Sequence, residues 1–217
     1  MIELPLLREP NAPIKILCLG AHSDDIEIGC GGTILRLTSL YPAASFSWIV
    51  FSADGTERKD EAIAGANLFL AEAAQKRVVV RQFRESFFPY AGEQIKEYFE
   101  EIKSGVIPDL VFTHYRFDLH QDHKLISDLT WNTFRRSLIL EYEIPKWDGD
   151  LGAPNCYVRL PREVVERKIG AICETFKSQR TKPWFTADTL RALLRLRGVE
   201  ANVQFAEAFY GRKLVLG

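Results

Sequence analysis

The sequence predicts a doubly wound α/β fold, and three observations carry that expectation. Short apolar runs alternate with helix-length stretches along the first half of the chain. The runs are almost continuously apolar, as strands covered on both faces are. The composition, 47% hydrophobic and 26% charged in 217 residues, supplies enough apolar surface for one well-filled core. Strands of about 4–8 residues alternating with longer helices build βαβ units and therefore a mostly parallel sheet sandwiched by helices.

The elements follow in order. Ile14 to Ala21 reads as the first strand, then a turn and a helix from Gly32 to Leu40. Ser45 to Phe51 is the second strand, followed by a helix from Asp60 to Ala74. Arg77 to Arg81 is the third, followed by a helix from Glu93 to Ser104 with apolar residues at Ile95, Tyr98, Phe99 and Ile102. Leu110 to Thr113 is the fourth, leading through a polar loop into a helix from Asp122 to Leu138. Beyond Leu140 the rhythm changes: Glu141 to Asp150 is aromatic, charged and turn-rich. A strand at Cys156 to Leu160 follows, then helices from Pro161 to Lys177 and from Thr186 to Arg197, the latter stopping at Gly198, and a closing strand from Phe205 to Leu216. No Pro/Gly/Ser-rich linker separates the halves, so the chain reads as one domain over residues 1–217.

Composition excludes several classes. Lys and Arg number 28 against 29 Asp and Glu, a net charge of -1, which leaves no basic field for nucleic acid. Apolar runs are too short to span a bilayer. Met1 to Pro5 lacks the basic and apolar regions of a signal peptide. The four cysteines are far apart with no C-x-x-C, which points to reduced thiols in a cytoplasmic protein.

The chemistry concentrates in two polar clusters, each after a predicted strand: Ala21 to Thr33, and His114 to His123. All four histidines of the chain lie in them. In doubly wound sheets, sites form outside the carboxyl ends of strands. His22, Asp25 and His123 together offer two imidazoles and a carboxylate, a set suited to zinc with an open position or to non-haem iron. Asp24, pointing elsewhere than its neighbour, is free to take a proton from metal-bound water. His120 and Asp122 remain for a second layer: His120 to carry a proton or hold an oxyanion, Asp122 to hold an imidazole in its tautomer. The competing reading makes Asp24, Asp25 and Glu27 simple cap residues. His114, at the strand end, reads equally as a packed, hydrogen-bonded residue. Gly29, Gly31 and Gly32 fit neither a dinucleotide nor a Walker loop, and are expected to let the backbone turn closely beneath the site.

The stretch AHSDDIEIGCGGT resembles the first signature, A-H-P-D-D, of the LmbE-like or phosphatidylinositol-glycan de-N-acetylase family, and HYRFDLHQDH resembles its second, H-x-D-H. The resemblance implies a Rossmann-like α/β fold and a zinc-dependent enzyme that removes acetyl groups from N-acetylated amino sugars. Carried over residue by residue, it implies His22, Asp25 and His123 as metal ligands, Asp24 as general base, and His120 as the second catalytic group supported by Asp122. Zn2+ is the implied cofactor, with Fe2+ or another divalent metal compatible. Ser23 stands where the family most often has proline; its hydroxyl is expected to cap the following turn.

A small amino-sugar substrate is the implied partner. Arg58, after Asp54 to Glu57, is a candidate for a substrate hydroxyl or phosphate. Trp147, flanked by Tyr142 and Lys146, is a candidate for stacking on a sugar ring, with packing as the competing reading. Glu141 and Glu143, alternating on a strand, are expected to face solvent, with binding of sugar hydroxyls as the competing reading. Three other functions compete: deacylation of a non-sugar amide, an iron-dependent oxygenase on the same ligand set, and a sugar-binding protein with a dead site.

Overall fold

Along β1 (Lys15–Gly20) the side chains alternate between two cores: Ile16 and Cys18 enter one, Leu17 and Leu19 the other. The computed structural model describes residues 13–53 and 57–214. Its remaining strands are β2 (Ser45–Val50), β3 (Gln75–Val80), β4 (Leu110–His114), β5 (Leu138–Tyr142), β6 (Cys156–Arg159) and β7 (Ala206–Gly211). The helices are α1 (Asp25–Leu40), α2 (Glu57–Phe69), α3 (Gly92–Gly105), α4 (Gln121–Thr133), α5 (Arg162–Thr175) and α6 (Ala187–Glu200). The seven strands run in the order β3-β2-β1-β4-β5-β7-β6. β1 to β5 are mutually parallel, and β7 runs antiparallel between β5 and β6.

Apolar residues of α1, α2, α5 and α6 fill the first core, and those of α3 and α4 fill the second. The α/β expectation therefore holds, with helices on both faces of a mostly parallel sheet. The chain builds outward from β1 in one direction through β2 and β3, then crosses to β4 on the other side. That reversal places the loop after β1 beside the loop after β4, which is where ligands bind in open α/β sheets.

Several boundaries differ from the sequence reading: α2 stops at Phe69 and not Ala74, β7 stops at Gly211, and two further differences bear on the site. α4 ends at Thr133, with Phe134 closing it through a bond to the Thr130 carbonyl, and the predicted end of that helix is instead β5. Phe134 and Leu138 are four apart, so the helical spacing runs on past the true stop. α1 begins at Asp25, so the glycine run is helical and not a turn. A Cβ on Gly29 would lie 2.1 Å from the Tyr142 ring, and one on Gly32 would lie 2.6 Å from Leu160. These glycines let β5 and its neighbours approach the α1 backbone.

α1 is also entered by side chains. The helix is continuous, and its backbone takes side-chain partners as well. Here Gly32 N donates to Glu207 Oε1 (2.7 Å), Thr33 N donates to Glu207 Oε2 (2.6 Å), and Lys168 Nζ donates to the Ile28 carbonyl (2.6 Å). Lys168 and Glu207 are both buried and pair with each other at 2.6 Å. All four cysteines are free, and among the described residues no helix is long and apolar enough to cross a membrane.

Candidate active site

β1 delivers His22 and the first turn of α1; β4 delivers the loop that ends in α4. Their meeting point buries His22, Asp24, Asp25, Asp118, Asp122 and His123. Buried charges need partners, and the hydrogen bonds show how these are met.

His22 is held through Nε2, which lies 3.1 Å from Asp122 Oδ2. His123 is held through Nδ1, which lies 2.9 Å from Asp118 Oδ2. A neutral imidazole has one N–H and one lone pair. Donation to these carboxylates leaves the lone pair of His22 on Nδ1 and that of His123 on Nε2. The other two histidines spend theirs on backbone: Ala21 N–H donates to His114 Nε2 (2.9 Å), and Asp122 N–H donates to His120 Nδ1 (3.2 Å). Neutral His120 is thereby fixed as the Nε2–H tautomer.

Two overlapping groups have ligand atoms within 4.8 Å of one another: His22, His120 and His123, and Asp25, His114 and His123. Lone-pair availability selects among them, leaving His22 and His123 with the Asp25 carboxylate. The separations are 3.1 Å from His22 Nδ1 to His123 Nε2, 3.4 Å from His22 Nδ1 to Asp25 Oδ2, and 3.5 Å from His123 Nε2 to Asp25 Oδ1. Ligands at about 2.0–2.1 Å from a tetrahedral ion are about 3.3 Å apart, and these separations, taken to the two different oxygens of Asp25, are of that size.

The electrostatics follow. Burial pulls the His22 pKa down, but Asp25 and Asp122 outweigh it and raise it to about 10. Burial and His114 push His123 down to about 3. Asp25 is held well below the usual carboxylate range; burial opposes this, but His123, His114 and His22 prevail. Asp118 and Asp122 are likewise lowered against burial, chiefly by their histidines. Burial, then His22, lowers His120. Asp24 goes the other way. Burial and the Asp25 charge raise it to about 6, with Arg58 and Lys182 opposing. Asp24 sits at the N-cap position of α1, yet its carboxylate makes no capping bond.

Several expectations are corrected in detail. The Asp122 carboxylate serves His22 and accepts Ser86 N–H (2.6 Å) and Phe88 N–H (3.1 Å), touching His120 only through its own backbone N–H. A carboxylate at the second position of α4 turns back toward β1, where that imidazole arrives. Ser23 Oγ caps nothing; it is buried with no hydrogen-bond partner among the described residues. Glu141 and Glu143 are buried and paired, the first with Arg116 and Trp131, the second with Arg197. Tyr142 lies in the core, donating to the Leu19 carbonyl at 2.6 Å, and so does not flank Trp147. Trp147 is 69% exposed. Arg58 lies in the first turn of α2, half-buried and paired with Glu85; Asp54 to Thr56 lie outside the described residues. Asp118 and Lys146 carry more of the site than the sequence reading assigned them. Asp118 stands in the same polar run as His120 and His123, which was the available signal.

Residues 17–134 match the family described as PIG-L: GlcNAc-PI de-N-acetylase. The chain belongs to the PIG-L family. The segment that matches contains every residue of the site described above except Lys146, Trp147 and Lys182. A relative from Escherichia coli (strain K12), called uncharacterized deacetylase YaiS, is 27% identical over 182 residues, covering 79% of this chain and 96% of that protein. Among solved structures, the N,N'-diacetylchitobiose deacetylase of Pyrococcus horikoshii aligns with a TM-score of 0.68 at 22% identity, over 90% of this chain and 82% of that one. GalB, the 4-carboxy-2-hydroxymuconate hydratase of Pseudomonas putida KT2440, aligns with a TM-score of 0.74 at 16% identity, over 94% and 98%. The PIG-L fold thus appears on proteins of different chemistry, and the residues of the site must decide the reaction.

Proposed function

We propose that this chain is a metal-dependent deacetylase that removes the acetyl group from an N-acetylated amino sugar or its conjugate. One observation carries the reading: two imidazoles, each held by a buried carboxylate through one ring nitrogen, turn the other ring nitrogen toward Asp25, next to a buried Asp24 that caps nothing. Carboxylate–histidine pairs of this kind orient metal ligands. The PIG-L membership and the deacetylase named among the structural neighbours support the same chemistry.

His22, Asp25 and His123 would hold a Zn2+ or another divalent ion. When bound, such an ion supplies a Lewis acid for the acyl carbonyl and lowers the pKa of its water. Asp24, with its pKa near the working range, accepts a proton from the attacking water. The neutral His120 offers its Nε2–H to the oxyanion that develops on the carbonyl. When the C–N bond breaks, Asp24 returns its proton to the departing amine, giving acetate and the free amino sugar. Arg58 and Trp147 stand as the residues for sugar contact.

The test is acetate and primary-amine release from a panel of N-acetyl sugars, run beside non-sugar acetamides, with zinc-reconstituted protein of measured metal content. About one zinc per chain, lost in Asp25→Ala, with turnover confined to sugars, is the expected result. No bound metal and no acetate in well-folded protein rejects the reading.

A further inference from the structure

We infer that Lys146 is a positioning residue that acts through the Asp118 carboxylate, fixing at once the His123 imidazole and the exposed tip that carries Trp147. The inference rests on the metal-dependent deacetylase reading. Lys146 Nζ lies 3.1 Å from Asp118 Oδ2, the same oxygen that His123 Nδ1 approaches at 2.9 Å. Asp118 Oδ1 accepts the His120 N–H at 2.8 Å. One carboxylate therefore joins both of these histidines to a single lysine.

Lys146 comes from the segment after β5, and its side chain is 6% exposed. It also pairs with Asp150, whose Oδ2 accepts the Leu119 N–H at 2.8 Å, and lies 3.9 Å from Asp148. The segment from 146 to 150 is thus pinned at both ends onto the loop after β4. Between the pins are Trp147 and Gly149, whose φ of +63° turns the tip. Gly149 allows the left-handed turn that returns the chain from one anchor to the other, and Trp147 stands on that tip.

Two carboxylates from different loops, Asp118 and Asp150, converge on this one ammonium. Without it they become like charges facing each other with little water to screen them. The cheapest relief is for Asp118 to swing away, which releases His123 Nδ1, and for the tip to lift, which releases Trp147. Both consequences come from one side chain that reaches His123 only through Asp118.

The experiment compares Lys146→Met, Asp118→Asn and the double variant. Zinc affinity is read by chelator competition, kcat and KM by acetate release, and the His123 tautomer by long-range nitrogen NMR of the metal-free protein. Lys146→Met should lose about tenfold in zinc affinity, as orienting partners of ligands typically cost when removed. It should also raise KM several-fold. The double variant should bind zinc no more weakly than the weaker single variant, because both changes act on one carboxylate. Asp150→Asn releases the tip while leaving Lys146 on Asp118, so KM should rise with zinc affinity unchanged; this variant decides the matter if Lys146→Met does not fold. Wild-type zinc affinity in folded Lys146→Met, additive losses in the double variant, or a zinc defect in Asp150→Asn overturns the inference and leaves the deacetylase reading standing. If the wild-type protein binds no zinc and releases no acetate, that reading falls, and NMR alone decides: a His123 Nδ1–H tautomer lost in Lys146→Met supports the inference, and unchanged spectra overturn it.

Discussion

His22 Nδ1 and His123 Nε2 lie 3.1 Å apart, a distance that two bare lone pairs do not hold without a cation between them. In the metal-free protein that cation is a proton, resident on His22, whose pKa is raised to about 10 by Asp25 and Asp122 against the pull of burial. A metal ion must displace it. Zinc binding at pH 7 is therefore expected to release about one proton per ion, measured by calorimetry in buffers of different ionisation enthalpy. Because His22 is protonated below about pH 10, affinity rises with pH across the neutral range. Zinc uptake with no proton release and a flat pH dependence would place the ion elsewhere.

Asp24 links activity to stability with opposite signs. Its carboxyl is raised from 3.8 to about 6 by burial and by Asp25, so the stabilising neutral form is complete below pH 3.8 and lost as pH rises through 6. Ionisation costs the metal-free fold about 3 kcal/mol by pH 8. Asp24→Asn should abolish turnover while keeping zinc, and should melt higher than wild type at pH 8 in chelator, with the gain shrinking toward pH 4. A variant that turns over normally would remove Asp24 from the role of base.

The carboxylate of Asp122 and the ring of His120 are neighbours in sequence with separable duties. Asp122→Ala should weaken zinc binding by about 10–100-fold, because it frees His22. His120→Ala should leave zinc affinity near wild type and lower kcat by about a hundredfold or more, the usual loss of one oxyanion donor. Chelator competition and steady-state kinetics on the two variants give the split. The reverse pattern would make His120 a ligand.

Gly29 sets how closely α1 lies against β5. Gly29→Ala forces a methyl into the Tyr142 ring, which has no room to retreat beside Leu19 and His114, and should cost about 1–3 kcal/mol. Gly92→Ala is the control: nothing lies within 4 Å of its Cβ position, and the change should stabilise α3 slightly. Thermal melts of the two variants test the contrast.

The alternation of β1 to β4 with α1 to α4 was legible because β1 and β4, buried along nearly their whole length, are nearly continuously apolar, and because all four histidines lie at or just beyond the ends of those two strands; the edge strand β3 showed only in Val78 to Val80. His22, Asp25 and His123 were legible as a set for the same reason. What escaped was whatever depends on direction and not on position. The resemblance paired Asp122 with His120, yet a helix start sends the carboxylate to the His22 imidazole and leaves only a backbone N–H for His120. β5 was hidden because Phe134 and Leu138 continue a helical spacing. Glu141 and Glu143 looked solvent-facing because their partners, Arg116, Trp131 and Arg197, come from other elements that no local pattern announces.

The polar clip on α1 carries a consequence for how the chain is made. Lys168 and Glu207 lie 140 and 175 residues beyond the backbone groups they engage. At a synthesis rate of about 5–20 residues per second, Gly32 waits roughly 10–35 s for its acceptor to be translated. During that interval the helix that begins at Asp25 lacks the side chains that meet its Ile28, Gly32 and Thr33 backbone groups. A nascent chain stopped after residue 134 would hold both histidine-bearing motifs while lacking the strand that supplies Glu207. In the finished core, losing Glu207 would leave the buried Lys168 ammonium without its carboxylate partner, at about 3–5 kcal/mol. The clip on α1, the helix that opens with Asp25, is thus complete only once β7 has been made.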